Sequence, residues 1–462
     1  SALENIYQRS PGNHYLKKGE QAHRRKEYKE AVEDYDTAIS IDPLLVPAYL
    51  AKANTLNTMK EYDAGLKVVE QGLEVDNIYA RLYVTRGILY SNQNKLEAAL
   101  AELKKAIEIA PQDPYGYTVL ASHYSRMKQD DKALATYDAC IKVNPKLMSI
   151  YGFKADLEIA LNRPDEAIKT FDRAIEANPR HMKSYSEKIS LLRKLNREYQ
   201  AIATCDDVLK VDKNSIYAHI SKAYIYRDLK QLADAIAACD AAINVDPNNM
   251  ELYLIKAQTY NNAEQWDQAI QVFNRVLLTE KKGDQANEKT EKVLLQAYTG
   301  RGHSHLMKQD WKAAQEDFQN AFELDKHDSQ AITGLAICMV YNHQEDKAIQ
   351  FVESQLKKFE QNALFHYNVA CVFGRALVNL KDQPQTPAVQ QQIAAYQKKA
   401  IHYLALSSQL GFEDAEWMQK DPDLAELQPV HLDPDSIDKE ALEHRLLVIQ
   451  ALETARCFAE GV

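Results

Sequence analysis

Small and aromatic side chains return along this chain at a fixed interval. Ala31, Gly65, Ala99, Ala133, Ala167, Ala201, Ala235 and Ala269 each lie 34 residues after the last. Tyr15, Tyr49, Tyr83, Tyr117, Tyr151 and Tyr185 keep the same interval; His219 takes the next place and Tyr253 resumes the series. Four residues beyond these aromatics stand Gly19, Ala53, Gly87, Ala121, Ala155, Ala223 and Ala257, with Ile189 the bulky exception. Pro43, Pro111, Pro145, Pro179 and Pro247 share one phase, with Asn77 and Lys213 in the gaps. Self-similarity at this period marks stacked supersecondary units. The pattern predicts antiparallel helix pairs, each closed by proline, in which a small residue facing a small residue lets the helices approach. Tyr35, Leu103, Tyr137, Phe171 and Phe273 are expected to fill the groove between pairs. One pair cannot bury both of its faces, so neighbours must stack. Each large buried side chain contributes roughly 1.5 to 3 kcal/mol, and many such increments hold the stack.

The interval breaks twice. Ala269 to Ala314 is 45 residues, with the polar Lys281-Lys282-Gly283-Asp284-Gln285 stretch between them, and the beat resumes at Tyr298, Gly302, Trp311, Ala314, Phe318 and Ala321. The charged run from Glu288 to Val293 favours an early start of the next helix over a loop. After His366, Ala370 and Phe373, the stretch Leu380 to Pro387 separates a first helix from a second, placed at Val389 to Leu406. The predicted organisation is eight regular repeats over 12–283, an insertion or helix extension at 284–294, and two further repeats over 295–362. An extended last repeat with an inserted loop follows at 363–412, then a C-terminal segment and capping helix at 413–462. That final helix, Asp438 to Phe458, is entered through the polar Asp435-Ser436 pair of an N-cap.

The order aromatic, small, aromatic, small, aromatic, small, proline is carried in the first unit by Tyr15, Gly19, Tyr28, Ala31, Tyr35, Ala38 and Pro43. It resembles the tetratricopeptide repeat over about nine tenths of the chain. The resemblance implies an all-α, right-handed α-solenoid of about eleven helix-turn-helix repeats with a C-terminal capping helix. The stretch Leu410 to Trp417 followed by Asp421-Pro422-Asp423-Leu424 resembles the closing segment of many bacterial tetratricopeptide proteins, including arrays attached to kinases or cyclases. A bacterial source is the expectation.

Composition narrows function without redirecting the fold. Hydrophobic residues make up 45% of the 462 and charged residues 26%, while Gly and Pro number 14 each, too few for a turn-rich β chain. A net charge of -10 offers no basic field, which disfavours nucleic acid as principal ligand. No run of 18 apolar residues predicts membrane insertion. The six cysteines form neither a CxxC pair nor a disulfide framework, so reduced thiols in the cytoplasm are the expectation, with a signal peptide removed ahead of Ser1 as the alternative.

The resemblance implies that the first helix of each pair lines a concave face that binds a protein or peptide. Carried onto this chain, the contact positions are Asn54, Asn57, Asn92, Ser122, Arg126, Asp156, Arg193, Tyr224, Arg227, Gln258, Asn261, Asn262, Tyr341 and Arg375. Amides and hydroxyls there can pair with the backbone of an extended peptide without demanding one side-chain sequence. Any single exposed Asn or Arg is more often simply solvated. Arrays that grip a chaperone's C-terminal carboxylate carry Lys and Asn where this chain has Leu16 and Glu20, so that ligand is not expected. The asparagine ladder of sugar-transferase arrays is replaced by Lys17, Ala51, Thr85, Val119, Phe153 and Glu187.

No catalytic, cofactor or metal constellation is expected. His303 and His305 stand two apart on a helix and point in different directions, and Cys205 and Cys239 replace ring positions as small core fillers. The leading reading is a non-catalytic scaffold or adaptor. The alternatives are the regulatory or substrate-recruiting arm of a larger bacterial kinase, cyclase or transferase, and a secreted effector or secretion-system component. Oligomeric state stays open.

Overall fold

The computed structural model describes residues 10–280, 288–412 and 421–427. The expected capping helix and the Lys281 to Gln285 segment lie outside the described residues. Among the described residues there are 22 α-helices, two short 3-10 helices and no strand. The helices form eleven hairpins, so the chain is an all-α solenoid of helix pairs. It divides into two units, residues 1–213 and 214–462, a boundary between the sixth and seventh hairpins rather than at the inserted stretch.

In the first unit the leading, or A, helices are Asn13–Arg24, Val46–Thr58, Ala80–Asn92, Pro114–Arg126, Met148–Ala160 and Met182–Lys194. Each returns through a B helix: Tyr28–Ile41, Tyr62–Val75, Leu96–Ile109, Asp130–Val143, Pro164–Ala177 and Glu198–Val211. In the second unit the A helices are Ile216–Asp228, Met250–Asn262, Glu288–Met307, Ser329–Tyr341 and Ala363–Lys381, and the B helices are Leu232–Val245, Trp266–Glu280, Trp311–Leu324, Glu345–Gln355 and Pro387–Gln409.

Packing follows from ring against small residue. The Phe318 ring of a B helix lies between two A helices. A Cβ placed on Gly302 of its own hairpin would sit 3.2 Å from that ring, and one on Gly334 of the next hairpin 2.5 Å. Leu103 stands 2.8 Å from the place of a Cβ on Gly87 in the same way. The expected pairing of small with small is therefore half of the arrangement. A Cβ on Gly19 would meet both the Ala31 carbonyl at 3.0 Å and the Tyr35 ring at 2.6 Å. The repeating tyrosine also has a polar task. The hydroxyls of Tyr49, Tyr83, Tyr151 and Tyr253 donate to the carbonyls of Pro43, Asn77, Pro145 and Pro247 at 2.8–3.1 Å, pinning the turn that enters each repeat.

A second periodic feature joins A helices to B helices. Lys52, Lys154, Lys188 and Lys256 of A helices reach back to Asp36, Asp138, Asp172 and Asp240 on the preceding B helix. Lys18, Arg86 and Arg301 use Asp34, Glu102 and Asp317 on their own. Burial pushes the Asp138 carboxyl up, and hydrogen bonds from Lys154 and Arg173 outweigh this, leaving it below the usual carboxylate range. Lys154 also faces the buried Glu158 at 3.5 Å, and Glu158 accepts from Thr170 at 2.7 Å, so this rung is answered on each side.

The inserted stretch does not part the eighth hairpin from the ninth. The helix after it starts early, at Glu288, and runs 20 residues to Met307. Gly300 on that helix packs against the Phe273 ring, and Asn261 donates to the Gly300 carbonyl at 3.0 Å while accepting from Ser304 at 2.7 Å. In the last hairpin the B helix is longer than expected, Pro387–Gln409, because Thr386 caps it by accepting from the Val389 amide and Pro387 suits the first turn.

Ten of the eleven A-to-B turns end on a residue in the left-handed region, the turn after Lys381 being the exception. Lys26, Lys60, Asn94, Lys128, Asn162, Asn196, Lys230, Glu264, Gln309 and His343 have φ of 52–67°. At each, the following amide closes back five residues, as Glu61 does on Leu56 at 2.9 Å. That closure fits a Schellman motif, in which glycine carries no Cβ penalty. Relief of that strain outweighs the added freedom of the unfolded chain, so Lys60→Gly should stabilise the protein by about 0.5–1 kcal/mol and Lys60→Val should destabilise it. Thermal unfolding of the two variants checks both signs.

Candidate partner-binding surface

The B helices and the neighbouring A helices cover only part of each A helix, and the remaining strip carries the fourteen expected contact residues. In the first unit Asn54, Asn92, Ser122, Arg126, Asp156 and Arg193 are exposed and Asn57 is half-buried. Several of them already bridge repeats. Asn54 accepts from Thr85 at 3.1 Å, Asn92 donates to Asn57 at 2.8 Å, and Arg126 donates to the Ser91 hydroxyl at 2.8 Å. These amides therefore tie neighbouring A helices together, with their remaining donors and acceptors facing outward.

The same strip carries apolar side chains outside the sequence-based selection. Phe153 is 48% exposed and Ile159 41%, on either side of Asp156 on Met148–Ala160. Tyr115 is 43% exposed on the preceding A helix. Their signal was legible: they are large apolar residues lying off the beat that the core markers keep.

In the second unit Arg227 lies 4.9 Å over the Tyr224 ring, Gln258 is half-buried and Asn262 is exposed. Asn261 spends its amide on Gly300 and Ser304. His303 packs edge-on against Trp266 with ring centroids 5.8 Å apart, and His305 turns to Asp310 at 3.6 Å, so the two imidazoles have separate surroundings.

Tyr341 and Arg375 differ from the rest. Tyr341 stacks on Trp311 at 3.8 Å with 7° between the rings, and the Arg375 guanidinium lies 4.3 Å over its ring, forming one column. The chain itself covers this column. Asp423 accepts from the Tyr341 hydroxyl at 2.7 Å, Asp421 accepts from Tyr367 at 2.6 Å, and Leu424, 2% exposed, packs with Tyr367, Cys371 and Leu404. Gly374 lets the Asp423 carbonyl approach where any Cβ would collide. Expected as part of a closing segment, residues 421–424 are found lying against two expected contact residues, a placement that spans dozens of residues and has no local signal.

The described thiols are buried. Burial pushes Cys140 and Cys239 up to about 11 and Cys338 up to about 12, opposite to the shift that makes a reactive or metal-binding thiolate.

Burial also raises the Asp423 carboxyl. The Tyr341 hydrogen bond offsets part of this and the charge of Asp421 adds to it, leaving Asp423 pushed up to about 6. Protonation therefore favours the docked segment. That contribution is fully present below about 3.8 and is lost as pH rises through about 6. Carboxyl-carbon NMR should give an Asp423 midpoint near 6. The Leu424 amide, which donates to the Asp421 carbonyl at 3.1 Å, should be better protected from exchange at acid than at alkaline pH, after correction for intrinsic rates.

Three tetratricopeptide-repeat family models match the sequence, one at residues 80–113, one at 120–181 and 153–218, and one at 226–288. No curated protein matches it. Among solved structures, a thermophilic TPR protein of Thermus thermophilus is 20% identical with a TM-score of 0.31, covering 39% of this chain and 98% of its own. A tetratricopeptide repeat protein from Parabacteroides merdae is 19% identical with a TM-score of 0.31, covering 56% and 98%. Yeast Tom70 is 14% identical with a TM-score of 0.40, covering 97% and 96%. The hairpins repeating every 34 residues and the family models agree, and the chain carries tetratricopeptide repeats over the matched residues.

Proposed function

We propose that this chain is a non-catalytic scaffold whose A-helix face in the first unit binds an extended peptide or a helix of a partner protein. One observation carries the reading: Phe153 and Ile159 stand in solvent beside Asp156 on a face that nothing else in the described chain covers. Large apolar side chains ringed by polar ones mark interaction surfaces, and a few such anchors carry most of the energy of binding. Ser122 and Arg193 lie one repeat before Asp156 and one repeat after Ile159. They supply the polar rim that fixes the register of a bound backbone.

Peptides selected from a displayed random library on the 462-residue chain test the reading. Phe153→Asp combined with Ile159→Asp should weaken the selected peptides at least tenfold. The melting temperature should stay nearly unchanged, because neither side chain is in the core. Peptides that bind the double variant as tightly as the parent would contradict the proposal.

A further inference from the structure

We propose that the cleft between the B helices of the third and fourth repeats is a binding site for a small amphipathic anion, an apolar body carrying one acidic group. Two departures from the repeat fall on the same rung of the lysine-to-aspartate series. Where Lys52, Lys154, Lys188 and Lys256 reach from an A helix to an acid on the preceding B helix, the fourth repeat has Leu120. Where those lysines find Asp36, Asp138, Asp172 and Asp240, the third repeat has Lys104. The rung has lost its bridge, and the charge of its acidic end is reversed.

A cleft of about 480 Å³ lies at this rung, within the range of small-molecule sites. The neighbouring seam with its intact Lys154–Asp138 pair also has a cleft, so what sets this one apart is its lining. Tyr117, Leu120 and Tyr124 form its floor, at 5%, 5% and 8% exposure, so the apolar surface is preformed. Lys104 and Lys132 stand at the rim. Lys104 is exposed and makes no ion pair among the described residues. Lys132 lies 5.8 Å over the Tyr124 ring and donates only to Gln129. The one acid of the wall, Glu108, is answered by Lys105 at 3.3 Å. An apolar floor and two lysines at its rim suit an apolar group with one negative head.

Fluorescence titration with 8-anilinonaphthalene-1-sulfonate, an apolar aromatic body with one acidic group, tests the site on the 462-residue chain. Lys104→Asp with Leu120→Lys restores the rung that neighbouring repeats already carry, so the variant keeps the fold, as circular dichroism will register. It should weaken the probe at least tenfold. Lys104→Gln alone should weaken the sulfonate at least threefold while leaving the uncharged N-phenyl-1-naphthylamine within twofold. A loss below tenfold in the restored-rung variant, or a Lys104→Gln effect that is not confined to the charged probe, overturns the proposal.

Discussion

In this protein a large side chain on a B helix packs against the A helices of its own repeat and the next, as a ring in several repeats. Phe318 between Gly302 and Gly334 shows the geometry, and Phe273 against Gly300 repeats it across the inserted stretch. Because half of the ring's surroundings belong to the following repeat, no hairpin buries its apolar surface alone. Stability is then close to a sum of nearest-neighbour terms within each unit. The small residues at fixed intervals are a steric requirement of this contact, since a Cβ or longer side chain there would occupy the ring's place.

The same constraint decides what stays bare. Rings and small residues use one side of each A helix, its neighbours in the stack use two more, and the last strip faces solvent. On that strip residues are free of the packing rule, so it can carry Phe153 and Ile159 in the open. The contact of an A helix with the preceding B helix follows a looser rule, a lysine reaching to an acid. Where Leu120 and Lys104 abandon that rule, the stack does not fail, and the cleft there is lined by an apolar floor and lysines. At the far end of the second unit the chain uses the strip itself, laying Asp421 to Leu424 against Tyr341 and Tyr367.

Fold was legible because its cause is periodic: Ala31, Tyr49 and Pro43 each stand for a contact that recurs every repeat. The early start of the helix at Glu288 was legible from its charged, helix-favouring run. The lysine rungs were equally periodic, yet Lys52 and Asp36 each resemble an ordinary solvated charge until the fold brings them together. The candidate surface was legible only as a strip. Asn54, Asn57, Asn92 and Arg126 were placed on it by position, but their bonds to residues about one repeat away depend on the stacking itself. Tyr341 and Arg375 were placed on it too, and their cover by residues 421–424 arises from a contact too distant in sequence for any spacing to signal.

Hydrogen exchange on Phe171→Ala tests the nearest-neighbour account most directly. Phe171 is 2% exposed and packs with Ala155 and Leu191, so its removal should cost about 3–5 kcal/mol at that junction. The account predicts that amide protection falls in the fifth repeat and its immediate neighbours, while the helices between residues 13 and 75 keep theirs. An equal loss of protection across residues 13–211 would contradict it.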